Sequence, residues 1–450
     1  MPVAKKTIVF LSHVSHLTGG AERSLFETVK YLKLNSAYNP VVIIPSRGDL
    51  YESLRQLGCT VYIIESNWWT SGSRSKQVTN KAMHLHDAHA LYSILSVLDA
   101  EKPVACITNT IVVPWLAYAS AIKSIPHIWY LHEYGALDHG LDFMLGETST
   151  LNTIDAFSSK IIANSNSIRK HFNDSLPVHK NKLLVSYPFT DTFKTEPTIT
   201  NPFEQGRGIK LVCIGQIKRS KGQLDAVHAV YELEKRNIKA QLCLVGTEED
   251  SLYTDEIKSF IKDNLKNNSV IFTGFSQSPL SMLRYADISL VCSINEAFGL
   301  VATESMSQGT PVVGTNSGGL KEIITDQFTG LLYETGDITG LTNAIAALHK
   351  NEKLVQTLIA NAKKIFIKKY SIQASIRPLV NYLDNIQKTT SIDLSPLDGI
   401  LDIDSLKNNS IETLNIENTL LKNQLQEILN SKKWRLITKI SKLLPKKTSR

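Results

Sequence analysis

NEAFGLVATESMSQGTPVVGTNSGG, residues 295–319, follows the apolar run ISLVCS at 288–293 and decides how the chain is read. The run predicts a strand, the residues up to Ala297 a polar loop, and Phe298, Gly299 and Leu300 the opening of a helix. After Pro311 the run PVVGT predicts the next strand. Strand, helix and strand in this order form one unit of a parallel sheet. The first amides of a helix have no backbone partner and carry partial positive charge, so the start at Gly299 can hold a diphosphate. Gly299 has no Cβ, which allows a ligand close to the backbone. Glu304, on the helix, can accept hydrogen bonds from vicinal ribose hydroxyls. Glu296, in the loop, can do the same for sugar hydroxyls. The Gly318-Gly319 turn is expected to place a second flexible backbone at the rim of the site.

The same alternation runs outward in both directions. Toward the N-terminus, TIVFLS, VVIIPS, TVYII, VACIT, HIWYLHE and KIIANS read as strands, with helices such as 21–33 and 85–100 between them. Continuous apolar strands separated by helices belong to a parallel sheet covered on both faces. The polar, Thr- and Pro-rich stretch 191–208 breaks the pattern and reads as a linker. Strands then resume with KLVCIG, QLCLVG, VIFTGF, ISLVCS, PVVGT and GLLYE. The expected fold is α/β: two Rossmann-like, doubly wound domains, 1–190 and 209–370, facing a central cleft. A helix at 371–388 is expected to return toward the first domain, and 389–450 to form a helical tail.

Length and charge agree with this plan. A chain of 450 residues is too long for one core. Its 42% hydrophobic and 20% charged residues describe a folded globular protein. Cys59, Cys106, Cys213, Cys243 and Cys292 stand singly, most of them in apolar runs, and read as reduced core residues of a cytoplasmic protein. The start MPVAKKTIVFLSH does not read as a signal peptide, and TIVVPWLAYASAI is too short to span a bilayer. The net charge is +7, with 49 basic and 42 acidic residues. Eight of the basic residues and no acid lie in 431–450, which leaves 41 basic against 42 acidic elsewhere. A body without excess positive charge argues against nucleic acid as a partner. Within the tail, a helical arrangement of 432–444 would place Trp434 and aliphatic residues on one half and Arg435, Lys439 and Lys442 on the other. That pattern fits an anionic membrane surface, and equally a helix docked on protein with a solvated basic face. Residues 411–428 carry heptad spacing, with Ile411, Asn418 and Leu425 at a and Leu414, Leu421 and Ile428 at d. They read either as a dimerising coiled coil or as a lone helix packed on the body.

Three further segments supply candidate site residues. In IGQIKRSKGQ, 214–223, a strand ends at Gly215 and a helix begins near Gly222, so Lys221 projects toward the cleft as a charge for phosphate. In SHVSHLTGGAERS, 12–24, Gly19 and Gly20 permit a tight turn with backbone amides facing the cleft, and His13 and His16 stand nearby. His132 ends HIWYLHE, where a parallel strand delivers side chains to the crevice, as do Glu133 and Asn164. A metal is not expected. His84, His86 and His89 lack a third ligand on one helix face, and the D-x-D of Asp402 and Asp404 lies in the tail. No cofactor is expected either.

With these residues in view, the chain resembles the retaining, family 4 type glycosyltransferases of group 1, which have the GT-B fold. The likeness rests on Glu296-x7-Glu304, GGAE at 19–22, LHE at 131–133, KG at 221–222, LVG at 244–246 and GTPVVGT with its following GG, and it covers about residues 5–385. The resemblance implies transfer of a sugar from a nucleotide diphosphate to a glycan or lipid-linked acceptor, without metal and with retained anomeric configuration, in cell-surface polysaccharide synthesis. It implies His132 and Glu296 at the reacting sugar. It implies Gly19, Gly20, Gln216, Lys221, Gly246, Phe298, Gly299, Leu300 and Glu304 at the donor. Family members often carry arginine where this chain has Gln216, which brings no charge, so either Lys221 and the helix end suffice or Lys218 or Arg219 compensates. The expected location is cytoplasmic, peripheral at the inner face of a membrane. Two other readings fit the same residues: a nucleotide-sugar epimerase or hydrolase, and a non-catalytic nucleotide-sugar-binding scaffold subunit of a polysaccharide assembly complex.

Overall fold

The computed structural model describes residues 5–71, 80–175, 182–191, 199–203, 208–266, 268–276 and 278–387. The heptad segment 411–428, the amphipathic segment 432–444 and the Asp402/Asp404 pair lie outside these residues.

The first sheet contains β1 (Lys6–Ser12), β2 (Tyr38–Ile44), β3 (Thr60–Ile63), β5 (Ala105–Asn109), β6 (His127–Leu131), β8 (Lys160–Ala163) and β9 (Leu183–Val185). A small antiparallel pair, β4 (Thr70–Ser71) with β7 (Asp142–Phe143), stands apart from it. The second sheet contains β10 (Ile209–Ile214), β11 (Ala240–Val245), β12 (Val270–Gly274), β13 (Ile288–Val291), β14 (Val312–Thr315) and β15 (Leu331–Tyr333). The strand orders are β3-β2-β1-β5-β6-β8-β9 and β12-β11-β10-β13-β14-β15, and every pair in these two sheets is parallel. Parallel strands are covered by helices on both faces, and their burial shows it: all five residues of β5 and all five of β6 are buried. This is the doubly wound Rossmann plan written twice. In each sheet the order reverses beside the first strand, between β1 and β5 and between β10 and β13. Loops leaving those strand ends diverge and open a crevice there.

The five cysteines are buried free thiols. Trp115–Ile122 was legible only as an apolar run; it is a helix whose first seven residues are buried between other elements. The helix Ile372–Asp384 crosses back and buries Ile376, Leu379 and Leu383 in the core of the first domain, among Ile8, Phe10 and Leu32. Tyr38 Oη donates to Asp384 at 2.7 Å, and Ser186 Oγ to the Ser375 carbonyl at 2.7 Å, which fixes the register of the return. The approach is a helix, Glu352–Ile365, continued by one π-turn, Phe366–Tyr370.

Truncating Leu379, a fully buried residue of the returning helix, should destabilise the first domain by about 2–5 kcal/mol. Denaturant unfolding of Leu379→Ala followed by the tryptophans, all of which in the described residues belong to the first domain, would show it. An unchanged midpoint would mean that the helix is dispensable.

Candidate active site

A cleft of about 1090 Å3 lies between the C-terminal edges of the two sheets, lined by loops from both. On the second domain, the chain leaves β10 at Gly215 and passes through a 3-10 turn, Arg219–Lys221, into the helix Gln223–Lys235. Lys221 Nζ donates to Glu296 Oε2 at 2.8 Å, and Ser293 Oγ donates to the same oxygen at 2.7 Å. The amide of Ile294 donates to the Ser220 carbonyl at 2.9 Å, which ties the two loops together. Glu296 is followed by the helix Leu300–Gln308, whose N-cap, Gly299, has φ +107 and offers no side-chain cap. Leu300 and Val301 line the cleft, and as the first residues of the helix their amides have no intrahelical partner. Gly246, at the end of β11, also lines the cleft; a Cβ there would run into the Gly215 carbonyl.

The Gly318-Gly319 turn does not reach the rim as expected. It packs beneath the Glu296 loop, where the amide of Gly319 donates to the Glu296 carbonyl at 2.6 Å. Gly318 has φ +50, and a Cβ on it would collide with the Glu296 backbone. Its role is to set the height of that loop. Phe298 is likewise turned inward. Its ring is buried and stacks on Tyr187 at 5.6 Å, so only its backbone is offered to a ligand.

Glu304 is not among the cleft-lining residues. It is almost fully buried at the seam between the domains, where Oε1 accepts from Arg23 Nη2 at 2.5 Å and from Thr190 Oγ1 at 2.9 Å. Oε2 has no hydrogen-bond partner among the described residues. A buried carboxylate oxygen left unpaired is costly, so Glu304 retains one accepting position for a hydroxyl donor. Arg23 is the residue that sequence reasoning missed here. It follows GGAE directly, but its partner lies 281 positions away.

On the first domain, Gly19 and Gly20 line the cleft at the start of the helix Gly20–Asn35. His13 lines it as well, 3.2 Å from Glu22 and 5.4 Å from the Trp68 ring. His16 does not belong to the lining; it is mostly exposed and held by Asp49 at 3.2 Å. His132 is buried at the floor. Its ring stacks on Tyr130 at 4.3 Å, and Nε2 lies 2.9 Å from Asn109 Oδ1. An amide oxygen only accepts, so Nε2 carries the proton. Burial, helped by His13, pushes the His132 pKa down to about 3, and the ring is neutral. Glu133 caps the chain from below, accepting from the amides of Ile111 at 3.0 Å and His132 at 2.9 Å. Burial outweighs those two donors and raises its pKa to about 8. Asn164 Nδ2 donates to the His132 carbonyl at 2.8 Å. Thr110, also in the lining, has φ +115, a strained value for a β-branched residue.

Three contacts close the seam behind the cleft. Ser165 Oγ donates to the Ala297 carbonyl at 2.7 Å. Glu322, on the second domain, accepts from the amides of Asn166 at 2.9 Å and Ser167 at 2.6 Å, and so caps the helix Asn166–Ser175 of the first. Tyr187, Phe298 and Tyr370 pack together where the chain crosses between domains. No group of three or more His, Cys, Asp or Glu side chains among the described residues is placed to hold a metal ion. No helix among them is long and apolar enough to cross a membrane. The side chains of His84 and His86 lie outside the description.

Two facing Rossmann-like domains with charged and amide groups converging at both switch points define a GT-B protein. Comparison with known proteins assigns the family. Residues 18–193 match Glycosyltransferase Family 4, and residues 197–365 match Glycosyl transferases group 1, so the chain belongs to the group 1, family 4 glycosyltransferases. It is 30% identical over 239 residues to N-acetyl-alpha-D-glucosaminyl L-malate synthase of Bacillus anthracis, a match covering 50% of this chain and 61% of that protein. It is 30% identical over 254 residues to an uncharacterized glycosyltransferase of Methanocaldococcus jannaschii, covering 55% and 65% respectively. The chain thus spans less than two thirds of the length of these relatives. The crystal structure of Anabaena HepE in complex with UDP-glucose superposes with a TM-score of 0.70 at 21% identity, over 85% of this chain and 100% of that one.

The neutral state of His132 has a consequence for acid stability. An unfolded histidine takes up a proton near its ordinary value of 6.5, whereas His132 in the native protein does so only near 3. The stability it secures is complete above pH 6.5 and is lost as pH falls toward 3. His132→Gln, which keeps an N–H for Asn109, should remove this slope. Between pH 6.5 and about 5, wild type should lose up to about 1.4 kcal/mol per pH unit more than the variant. Parallel melting curves for the two proteins over that range would contradict the neutral assignment.

Proposed function

We propose that the chain transfers a sugar from a nucleoside diphosphate to a hydroxyl of a glycan or lipid-linked acceptor, with retention of configuration and without a metal, in cell-surface polysaccharide synthesis. The observation that carries the reading is the Lys221–Glu296 pair, 2.8 Å apart in the cleft and beside the uncapped start of the helix Leu300–Gln308. The presence of UDP-glucose in the Anabaena structure supports a nucleotide-sugar donor.

In this reading the diphosphate takes the amides of Leu300 and Val301 together with the Lys221 ammonium. Glu296 is thereby released to accept hydroxyls of the donor sugar. The vacant oxygen of Glu304 accepts a ribose hydroxyl, while Arg23 and Thr190 hold its other oxygen. The bond between the anomeric carbon and the phosphate oxygen breaks through an oxocarbenium-like state, and its electrons go to the diphosphate. The acceptor oxygen bonds to the same face of the sugar, and its proton passes to the departing phosphate oxygen. Fixed donors aimed at the leaving group stabilise this state selectively, because charge develops there only during transfer. His132, neutral and held by Asn109, presents a polar but uncharged ring to the sugar. The tail segments support, by their sequence pattern, a peripheral place on an anionic cytoplasmic membrane surface through 432–444 and a homodimer through 411–428.

Glu296→Ala and Lys221→Ala should each lower kcat about a hundred-fold or more, with folding retained, when the protein is assayed with a panel of nucleotide sugars and glycan or lipid-linked acceptors. Turnover unchanged in both would refute the site. EDTA should leave the rate intact; a rate abolished by EDTA and restored by a divalent ion would refute metal independence.

A further inference from the structure

A donor diphosphate carries more negative charge than Lys221 alone offsets, and Gln216 supplies none. The two basic residues between them are placed very differently. Lys218 precedes the 3-10 turn with extended backbone, φ −154 and ψ 155. Its half-buried side chain lines the cleft. Arg219, the first residue of the 3-10 turn, is exposed and absent from the cleft lining. Its Nη2 lies 2.6 Å from Glu256 Oε2, and its guanidinium lies 5.0 Å over the Tyr253 ring.

We propose that Lys218 is the second cation of the site and supplies to the donor diphosphate the positive charge that Gln216 lacks. The inference rests on the donor-site reading above and adds a residue to it. Lys221 is committed to Glu296, whereas Lys218 forms no ion pair among the described residues. Burial, and then the charge of Lys221, push the Lys218 pKa down, while Glu296, Glu249 and Asp138 pull it up. Lys218 and Lys221 thus both line the partly desolvated cleft, and of the two only Lys221 has a carboxylate in direct ion-pair contact among the described residues. An anion entering between them relieves their repulsion, and it meets a point charge that no protein group has to release. Asp138 belongs to the first domain, so Lys218 also faces the acceptor side of the cleft.

The test is calorimetric titration of the full chain with UDP, ADP and GDP, each against its monophosphate. Lys218→Ala should weaken binding of the best diphosphate about ten-fold or more, and that of the monophosphate less. Arg219→Ala should stay within about three-fold of wild type. Adding Gln216→Arg to Lys218→Ala should restore most of the lost affinity. Melting temperatures without ligand should show Lys218→Ala as stable as wild type, and Lys218→Met, which keeps an apolar stem, serves if the alanine variant melts early. Diphosphate binding unchanged in both Lys218 variants overturns the proposal, as does an equal loss for mono- and diphosphate or an equal loss in Arg219→Ala. A wild-type chain that binds none of the three diphosphates instead overturns the donor-site reading itself.

Discussion

The ion pair between Lys221 and Glu296 is the contact around which the second domain is organised. The two residues are 75 positions apart and meet because β10 and β13 are neighbours at the point where the strand order reverses. Holding them at 2.8 Å requires more than that adjacency. Ser293 binds the same carboxylate oxygen, Ile294 is tied to Ser220, and the Gly318-Gly319 turn fills the space beneath the Glu296 backbone. A half-exposed pair of this kind adds little to stability. Its value is that both side chains are held side by side at the cleft before any ligand arrives, so that a ligand taking Lys221 exchanges one partner for another without moving the backbone.

The first domain contributes through burial instead of charge pairing. His132, Asn109, Asn164 and Glu133 form a network at the ends of β5, β6 and β8, and water is largely excluded from it. That exclusion keeps the imidazole neutral and the Glu133 carboxyl proton-loving. The second domain's side of the cleft presents Lys218, Lys221 and an uncapped helix start, whereas the cations on the first domain's side, Arg23 and Lys30, are already paired with Glu304 and Asp191.

Much of this was legible in the sequence because its physical basis is local. Apolar runs such as VACIT and QLCLVG announce strands buried on both faces, and AFGL between two glutamates announces a helix start with an open amide end. The unreadable features are those made by distance. Arg23 meets Glu304 across 281 residues, and Glu322 caps a helix that begins 156 residues earlier; no periodicity records either. Trp115–Ile122 hid because a helix buried on nearly all sides has no polar face. The placing of Gly318-Gly319 at the rim failed for a related reason. A glycine pair signals backbone freedom or close packing equally well, and only the neighbouring carbonyl decides which. The choice between Lys218 and Arg219 depended on how the loop after β10 enters its 3-10 turn, and the Glu256 and Tyr253 partners of Arg219 were not visible from the local sequence.

The cap that Glu322 places on the helix Asn166–Ser175 ties a helix terminus of one domain to a carboxylate of the other. Rotating the domains apart strips two amides of their acceptor, and at the same seam it separates Arg23 from Glu304. Parting the domains thus costs at least the loss of these buried polar contacts. Any ligand that can pass only when the domains part therefore meets a cost set at this seam, away from the cleft residues that would hold it.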